Sequence, residues 1–205
     1  MSEYICPRII IGCDPSYTHF GLSMINREDK TIKTYDIETE LGSQDFCNIA
    51  FKAKEQVNKV KETITEEVLS NFDTVIGMEN ALPYAFNATS LTALDVMLYH
   101  ELNPVRTAVF NPTYLSYLMG KHTKKDSVNL ANALISIFEK HGYSHVHQAS
   151  RKLRDGEAES FIYACRMLCL TSDDEVVTDI LALQPLFKTV KEKFSDNFIY
   201  SSGKE

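Results

Sequence analysis

Short apolar runs separated by turn residues mark the first part of the chain. Arg8 to Cys13 is rich in β-branched residues and is closed by Asp14-Pro15, which predicts a buried strand that ends in a turn. Residues 21–26 and 31–38 alternate apolar and polar positions and flank a charged turn. This pattern predicts two further strands, so the chain is expected to start as an antiparallel meander.

Helices and strands alternate over the rest of the chain. From about Asp45 to Leu69 apolar residues recur at helical spacing, and Asp73 to Met78 then forms a compact apolar strand. A strand that follows a helix favours parallel pairing with the first strand. Later helices are predicted at 91–102, 111–119, 125–141 and 157–170, with a strand at 105–110. The sequence therefore predicts one α/β domain with a mixed five-stranded sheet, three strands antiparallel and two parallel, and helices on both faces.

Composition excludes several classes of protein. The 205 residues are 44% hydrophobic and 24% charged, which is typical of a folded domain that needs no disulfide or structural metal. Five cysteines without a C-x-x-C pair indicate reduced thiols. We expect no membrane partner and an intracellular protein, because no apolar stretch reaches the length of a membrane span and no secretory signal is visible.

Charge is distributed unevenly along the sequence. The net charge is −7, yet residues 103–154 carry eight basic and two acidic side chains, whereas both flanking segments are acidic. A basic middle segment is expected if one face of the protein binds a polyanion, and a solvated helix and loop would explain the same charge pattern.

Two acids follow predicted strands directly. Asp14 comes after RIIIGC and Glu79 after DTVIGM, at the strand ends where α/β sheets bind ligands. If these strands are parallel neighbours, the two carboxylates lie side by side. Such a pair is costly unless a cation lies between the two groups.

A third acidic group begins the last predicted helix. Asp155 and Glu159 are four residues apart and share a helix face, whereas Glu157 lies about 200° from Asp155. We expect Asp155 and Glu159 to act as a pair, with Glu157 facing solvent or serving as an alternative ligand. Asp155 also suits a plain N-cap. Carboxylates without cysteine or a histidine pair favour Mg²⁺, with Mn²⁺ as a substitute, and two ions could clamp a phosphodiester.

The order of these motifs resembles the RuvC-like Holliday junction resolvases. IIIGCDPSYTHFGLSMI is similar to the opening of that family, with Asp14, Pro15 and Gly21 at its typical positions. TVIGMEN resembles the second motif, which supplies Glu79. KDSV, after Asn111-Pro112 and Gly120, looks like the Lys-x-x-Val segment, and DGEAESFIYACRML is similar to the closing acidic helix.

This resemblance implies a ribonuclease H-like fold, a homodimer and Mg²⁺-dependent paired cuts in a four-way DNA junction. By position, Asp14, Glu79, Asp155 and Glu159 would bind about two metal ions per site, with Glu157 as the alternative ligand, and Lys125 would lie near the scissile phosphate. The family usually has Asp three residues before the final acid, where this chain has Gly156.

The resemblance covers about residues 8–170. It implies a nuclease domain at 1–170 and leaves 171–205 as a C-terminal extension without an assigned role. A divergent viral, bacteriophage or organellar member would fit the departures, so the expected location is the cytoplasm, including a phage host's, or an organelle or the nucleus.

Basic and aromatic residues near these motifs are candidates for DNA contact. Ammonium groups hold phosphate oxygens, and exposed aromatic rings stack on unpaired bases. The candidates are Lys121, His122, Lys124, Lys125, Arg151, Lys152, Arg154, Tyr84 and Phe86.

Other interpretations stay open at this point. His141, His145 and His147 form a weak metal motif across a predicted loop, while Cys165, Cys169, Tyr114 and Tyr117 are expected in the core. A noncatalytic branched-DNA-binding protein would keep the basic segment and need no metal. A ribonuclease H-like nuclease acting on flaps or RNA/DNA hybrids would share every acid.

Overall fold

A mixed sheet with helices on both faces forms the centre of the protein. The computed structural model describes residues 6–16, 18–40, 46–64, 73–79, 88–102, 106–111, 113–121, 123–147, 152–188 and 197–200. Within this part of the chain the sheet has seven strands.

The strands lie in the order β6-β3-β2-β1-β4-β5-β7. β1, β2 and β3 form the antiparallel meander, and β4 and β5 extend the sheet in parallel from β1. β6 pairs in parallel with β3, and β7 pairs antiparallel with β5. The strands are β1 Ile9–Asp14, β2 His19–Asn26, β3 Thr31–Glu38, β4 Thr74–Glu79, β5 Arg106–Phe110, β6 Ser144–His147 and β7 Asn197–Tyr200.

Six α-helices and one 3₁₀ turn pack on this sheet in the described part of the chain. The helices are α1 Phe46–Thr63, α2 Ala88–Leu102, α3 Thr113–Met119, α4 Lys124–Lys140, α5 Asp155–Thr171 and α6 Glu175–Leu183, and the 3₁₀ turn spans Pro185–Phe187.

Alternation along the strands divides the core into two layers. Ile10 of β1 faces α3, α4, α5 and α6, while Ile9 and Ile11 face α1 and α2. Each face of the sheet is therefore buried under helices, which explains why the central strands read as nearly continuous apolar runs. Val177, Ile180 and Phe187 belong to the first layer, so residues after 170 contribute to the same core.

The predicted fold class is confirmed, because the five expected strands and their directions are all present. The structure adds the edge strands β6 and β7. The segment with His145 and His147, which was expected to be a loop, forms β6 instead. Four mostly polar residues carry too short an alternation to predict a strand.

Three of the four residues expected in the core are buried. Tyr114, Cys165 and Cys169 are buried, and Tyr117 is half-buried. Burial raises the pKa of Cys165 and that of Cys169, which favours neutral thiols. No helix in the described ranges has the length and hydrophobicity that a membrane crossing requires.

Helix α5 lies unusually close to three central strands. A Cβ atom on Gly12 would stand 1.9 Å from the Ser160 carbonyl oxygen, and one on Gly21 would stand 2.0 Å from the Gly156 carbonyl oxygen. Gly77 on β4 faces the same helix at Tyr163. Three strands thus present glycine where the helix backbone passes, and this close contact fixes the start of α5 beside the end of β1.

We expect Gly12→Ala to destabilise the protein by at least about 3 kcal/mol, because a helix backbone atom occupies the space of the new methyl group. Thermal unfolding in a chelating buffer measures the effect. Gly120→Ala is the matched control, since Gly120 has φ +72° and open space around it. Its substitution carries only the left-handed backbone penalty of about 1 kcal/mol. Equal losses in the two variants would contradict the close helix contact.

Candidate active site

Three carboxylates from distant parts of the chain meet at one end of the sheet. Asp14 ends β1, Glu79 ends β4, and Glu159 lies one turn into α5. One oxygen from each carboxylate lies within 4.8 Å of the other two. The expected convergence of these three acids is therefore present.

Sheet register accounts for the first two acids. β1 and β4 are parallel, and Cys13 pairs with Met78, so Asp14 and Glu79 follow as neighbours. Glu159 joins them because the glycines described above let α5 cross the sheet at close range.

The three acids are electrostatically costly in the absence of a cation. Desolvation raises the pKa of Asp14 well above its usual value, and the charges of Glu79, Glu159 and Asp155 raise it further. Desolvation also raises the pKa of Glu79, although hydrogen bonds from Asp14 and Tyr163 partly offset this effect. Both shifts favour a protonated carboxyl in this pair when no metal ion is bound.

Tyr163 lies behind the acids, four residues after Glu159 on α5. Its side chain is buried, and its hydroxyl is the hydrogen-bond donor that helps to lower the pKa of Glu79. Burial raises its pKa, and the nearby charges of Glu79 and Asp14 add to the effect. Tyr163 therefore contacts the acid cluster from the core side of α5.

Asp155 occupies the same end of α5 but has a partner of its own, because Lys124 at the start of α4 donates a hydrogen bond to it. Burial raises the pKa of Asp155, but the contact with Lys124 outweighs it and leaves this pKa below its usual value. Asp155 is therefore charged. Lys125, the residue expected near the scissile phosphate, is exposed and does not line the cleft.

Glu157 does not face solvent, so that expectation is wrong. Its side chain is 1% exposed, and Oε1 lies 3.0 Å from His147 Nε2 on β6. Oε2 accepts a hydrogen bond of 2.8 Å from the backbone N–H of Arg154, which caps α5. These contacts give Glu157 a structural role, and it is not among the acids that meet at Asp14.

Arg154, a DNA-contact candidate, lies within a network of acids. Its guanidinium donates to Asp36 and Glu38 of β3, and it lies 3.1 Å from His19 Nδ1. His19, Asp36 and Glu38 are close enough to form a second possible cation site. That position already has a positive charge in the Arg154 guanidinium, which ties the start of α5 to β3.

A cleft of about 400 Å³ joins the acid cluster to this network. Asp14, Glu159, Lys124 and Arg154 all line this cleft. The remaining lining residues are Ser16, Thr18, His19, Asp36, Asp155 and Gly156. Carboxylates outnumber cations along its lining, so a phosphate group would be repelled unless cations enter as well.

Two further DNA-contact candidates, Lys121 and Lys152, do not line this cleft. Lys121 and Lys152 are exposed, at the approach to α4 and α5 respectively. Four candidates lie outside the described residues, namely His122, Arg151, Tyr84 and Phe86.

The three histidines of the H-x-x-x-H-x-H motif have separate partners. His141 Nε2 lies 3.0 Å from Asp179, His145 lies 3.1 Å from the Thr34 hydroxyl, and His147 faces Glu157. They form no metal cluster among the residues that the structure describes.

The acid cluster fits Mg²⁺ or Mn²⁺. Its donors are carboxylate oxygens, which hard divalent cations prefer, and neither sulfur nor imidazole is among them. The raised pKa of Asp14 and that of Glu79 describe a cluster that a cation would relieve by replacing the shared proton.

Sequence reasoning missed several residues at this site. Asp36 pairs in register with Gly21, which in turn pairs with Asp14, so the three form one row across the meander. This pairing could have been predicted, because the length of the four-residue turn between β2 and β3 determines which residues of the two strands lie opposite each other. Tyr163 had a signal too, since it lies four residues after Glu159 and shares its helix face.

Two solved structures of Thermus thermophilus RuvC are similar to this chain. RuvC in complex with a Holliday junction substrate shares 15% identity at a TM-score of 0.44, over 85% of this chain and 94% of that one. The other RuvC structure shares 18% identity at a TM-score of 0.46, over 85% and 95%. No family model matches the sequence, and no curated protein matches it. Both of these structures are of RuvC.

The metal-free protein should lose stability as the pH rises. The folded chain keeps a proton on Asp14 that the unfolded chain releases near pH 4, so stability falls from about that pH up to the raised folded-state pKa. Asp14→Asn removes this loss. At pH 8 in a chelating buffer, we expect the free energy of unfolding of the variant to exceed that of the wild type by on the order of 1 kcal/mol or more.

Thermal unfolding at pH 5 and pH 8, with chelator or with Mg²⁺, measures this effect. Mg²⁺ should stabilise the wild type and leave Asp14→Asn nearly unchanged. A variant that is less stable than the wild type at pH 8 in chelator would refute the electrostatic description of the cluster.

Proposed function

We propose that this protein is a metal-dependent endonuclease that hydrolyses phosphodiester bonds in four-way DNA junctions. The observation that carries the proposal is the convergence of Asp14, Glu79 and Glu159 within 4.8 Å, at a cost visible in the raised pKa of Asp14 and of Glu79. A cluster that is unfavourable for the empty protein is explained by the cations that it binds.

The proposed metal ligands are Asp14, Glu79 and Glu159, with Asp155 beside them at the start of α5. Mg²⁺ or Mn²⁺ ions bound there would supply positive charge for the phosphate and lower the pKa of the attacking water. The chain's own part is to hold the carboxylates rigidly on two strands and a helix and to offer oxygen donors, which hard divalent cations prefer.

Lys124 is our proposed phosphate contact. It lines the cleft with the acids, its side chain is 84% exposed, and its contact with Asp155 keeps the ammonium at the mouth of the site. An exposed ion pair of this kind is weak, so a phosphate oxygen can take the place of Asp155. Hydrolysis is proposed to leave a 3′-hydroxyl and a 5′-phosphate.

The substrate class is proposed from charge and from the motifs. The basic segment 103–154 includes three exposed lysines at and just before the start of α4, namely Lys121, Lys124 and Lys125. Lys124 lines the acidic cleft. The ordered resemblance to RuvC-like resolvases selects the four-way junction among the possible DNA substrates. Paired cuts need two sites, so we propose that the active form is a homodimer.

Cleavage of a synthetic four-way junction tests this function. We expect Asp14→Asn, Glu79→Gln and Glu159→Gln each to cut more slowly than the wild type, by more than the roughly 100-fold that loss of an outer hydrogen-bond partner costs a metal site. The matched control is Glu139→Gln, an exposed acid on α4, which should cut normally. Gel analysis in Mg²⁺ compares the junction with linear duplex, flap and RNA/DNA hybrid.

If the wild type cuts the junction no faster than Asp14→Asn does, the proposal that this protein is a nuclease is wrong. Equal cutting of the junction and of a flap or hybrid would keep a nuclease and overturn its proposed substrate.

The neighbouring lysines provide a second test. We expect Lys124→Ala to lower the cleavage rate at saturating junction by about tenfold or more, since the proposed contact is made to the reacting phosphate. Lys125→Ala should leave that rate unchanged and lower the salt dependence of junction binding by about one phosphate contact. Single-turnover kinetics and binding at several salt concentrations separate the two effects. If Lys125→Ala loses more of the cleavage rate than Lys124→Ala does, Lys125 and not Lys124 is the lysine near the scissile phosphate, as the motif implied.

A further inference from the structure

Helix α4 contributes a buried hydroxyl to the acid cluster. Ser127 is fully buried on the first turns of α4, and its Oγ donates a hydrogen bond of 3.0 Å to Oε1 of Glu159. The serine hydroxyl is the donor in this bond, and the carboxylate oxygen is the acceptor. Ser127 belongs to the KDSV segment, where the motif had drawn attention to Lys125 alone.

Two contacts join α4 to α5 at this point, and they differ in kind. Lys124 meets Asp155 and Ser127 meets Glu159, so residues three apart on one helix face residues four apart on the other. Lys124 is 84% exposed, and such a pair is weak and sensitive to salt. Ser127 is shielded from water, so its contact persists when substrate and salt change.

The hydroxyl restricts a flexible side chain. Glu159 reaches the cluster through three rotatable bonds, and binding a cation would have to order them if nothing else did. With one oxygen of the carboxylate held by Ser127, the side chain is already oriented toward Asp14 and Glu79. Hydrogen-bond partners of ligating carboxylates act in this way in other metal sites.

We propose that Ser127 is the positioning residue for Glu159, which it preorganises for a divalent cation. This inference rests on the proposed function, because it assigns a partner to one of the proposed ligands. It predicts that removing the hydroxyl weakens cation binding while the fold and the other two acids remain.

The experiment is a calorimetric titration of the full chain with Mn²⁺ in the absence of DNA. Ser127→Ala is expected to bind Mn²⁺ about tenfold more weakly than the wild type. Ser127→Cys keeps a weak donor and should fall between the two. The matched control is Ser136→Ala on the same helix, whose hydroxyl donates to the Asn132 carbonyl and should leave Mn²⁺ affinity unchanged. Circular dichroism in chelator checks that each variant is folded.

The Mg²⁺ dependence of junction cleavage gives a second measurement. Ser127→Ala should need more Mg²⁺ for half-maximal rate and recover the wild-type rate at saturation, which a general structural defect would not do. If the wild type binds Mn²⁺ and Ser127→Ala binds it as tightly as Ser136→Ala does, the proposed role of Ser127 is wrong. The proposed nuclease function would be unaffected by that result. Absence of Mn²⁺ binding by the wild type would overturn the proposed function, and this inference with it.

Discussion

The close contact of helix α5 with the sheet is the constraint on which the site depends. Gly12 and Gly21 leave no room for a side chain beneath the helix backbone, and Gly77 extends the same path onto the next strand. The hydroxyls of Ser23 and Ser160, 2.7 Å apart, join the helix to β2 at the same level. The first turns of α5 are thereby fixed beside the end of β1, where Glu159 meets two strand-end acids.

That contact brings together charges that repel one another. The folding energy of the whole domain holds Asp14, Glu79 and Glu159 in place, although each would be better solvated alone. Contacts around the cluster limit the cost: Lys124 neutralises Asp155, and Ser127 donates to Glu159. The negative charge that these contacts leave uncompensated favours the binding of a divalent cation.

Sequence reasoning reached the parts of this site that depend on local order. Asp14 and Glu79 were predicted because each follows an apolar strand, and parallel strands end at one edge. The expectation that Glu157 faces solvent was wrong for a specific reason. A helical repeat gives the angle between Glu157 and Asp155 but not the surroundings on each side, and α5 is buried around nearly its whole circumference. Gly12 and Ser127 depend on contacts between distant elements, which a single sequence does not reveal. Tyr163 shares the helix face of Glu159, so its spacing alone could have indicated it.

The position of a bound cation shows directly whether Asp14, Glu79 and Glu159 form a metal site. A crystal structure of the protein soaked in Mn²⁺, with anomalous diffraction, gives that position without assuming any reaction. We expect an anomalous peak about 2.0–2.3 Å from oxygens of Asp14, Glu79 and Glu159. A peak at His19, Asp36 and Glu38 instead, or no peak beside Asp14, would contradict it.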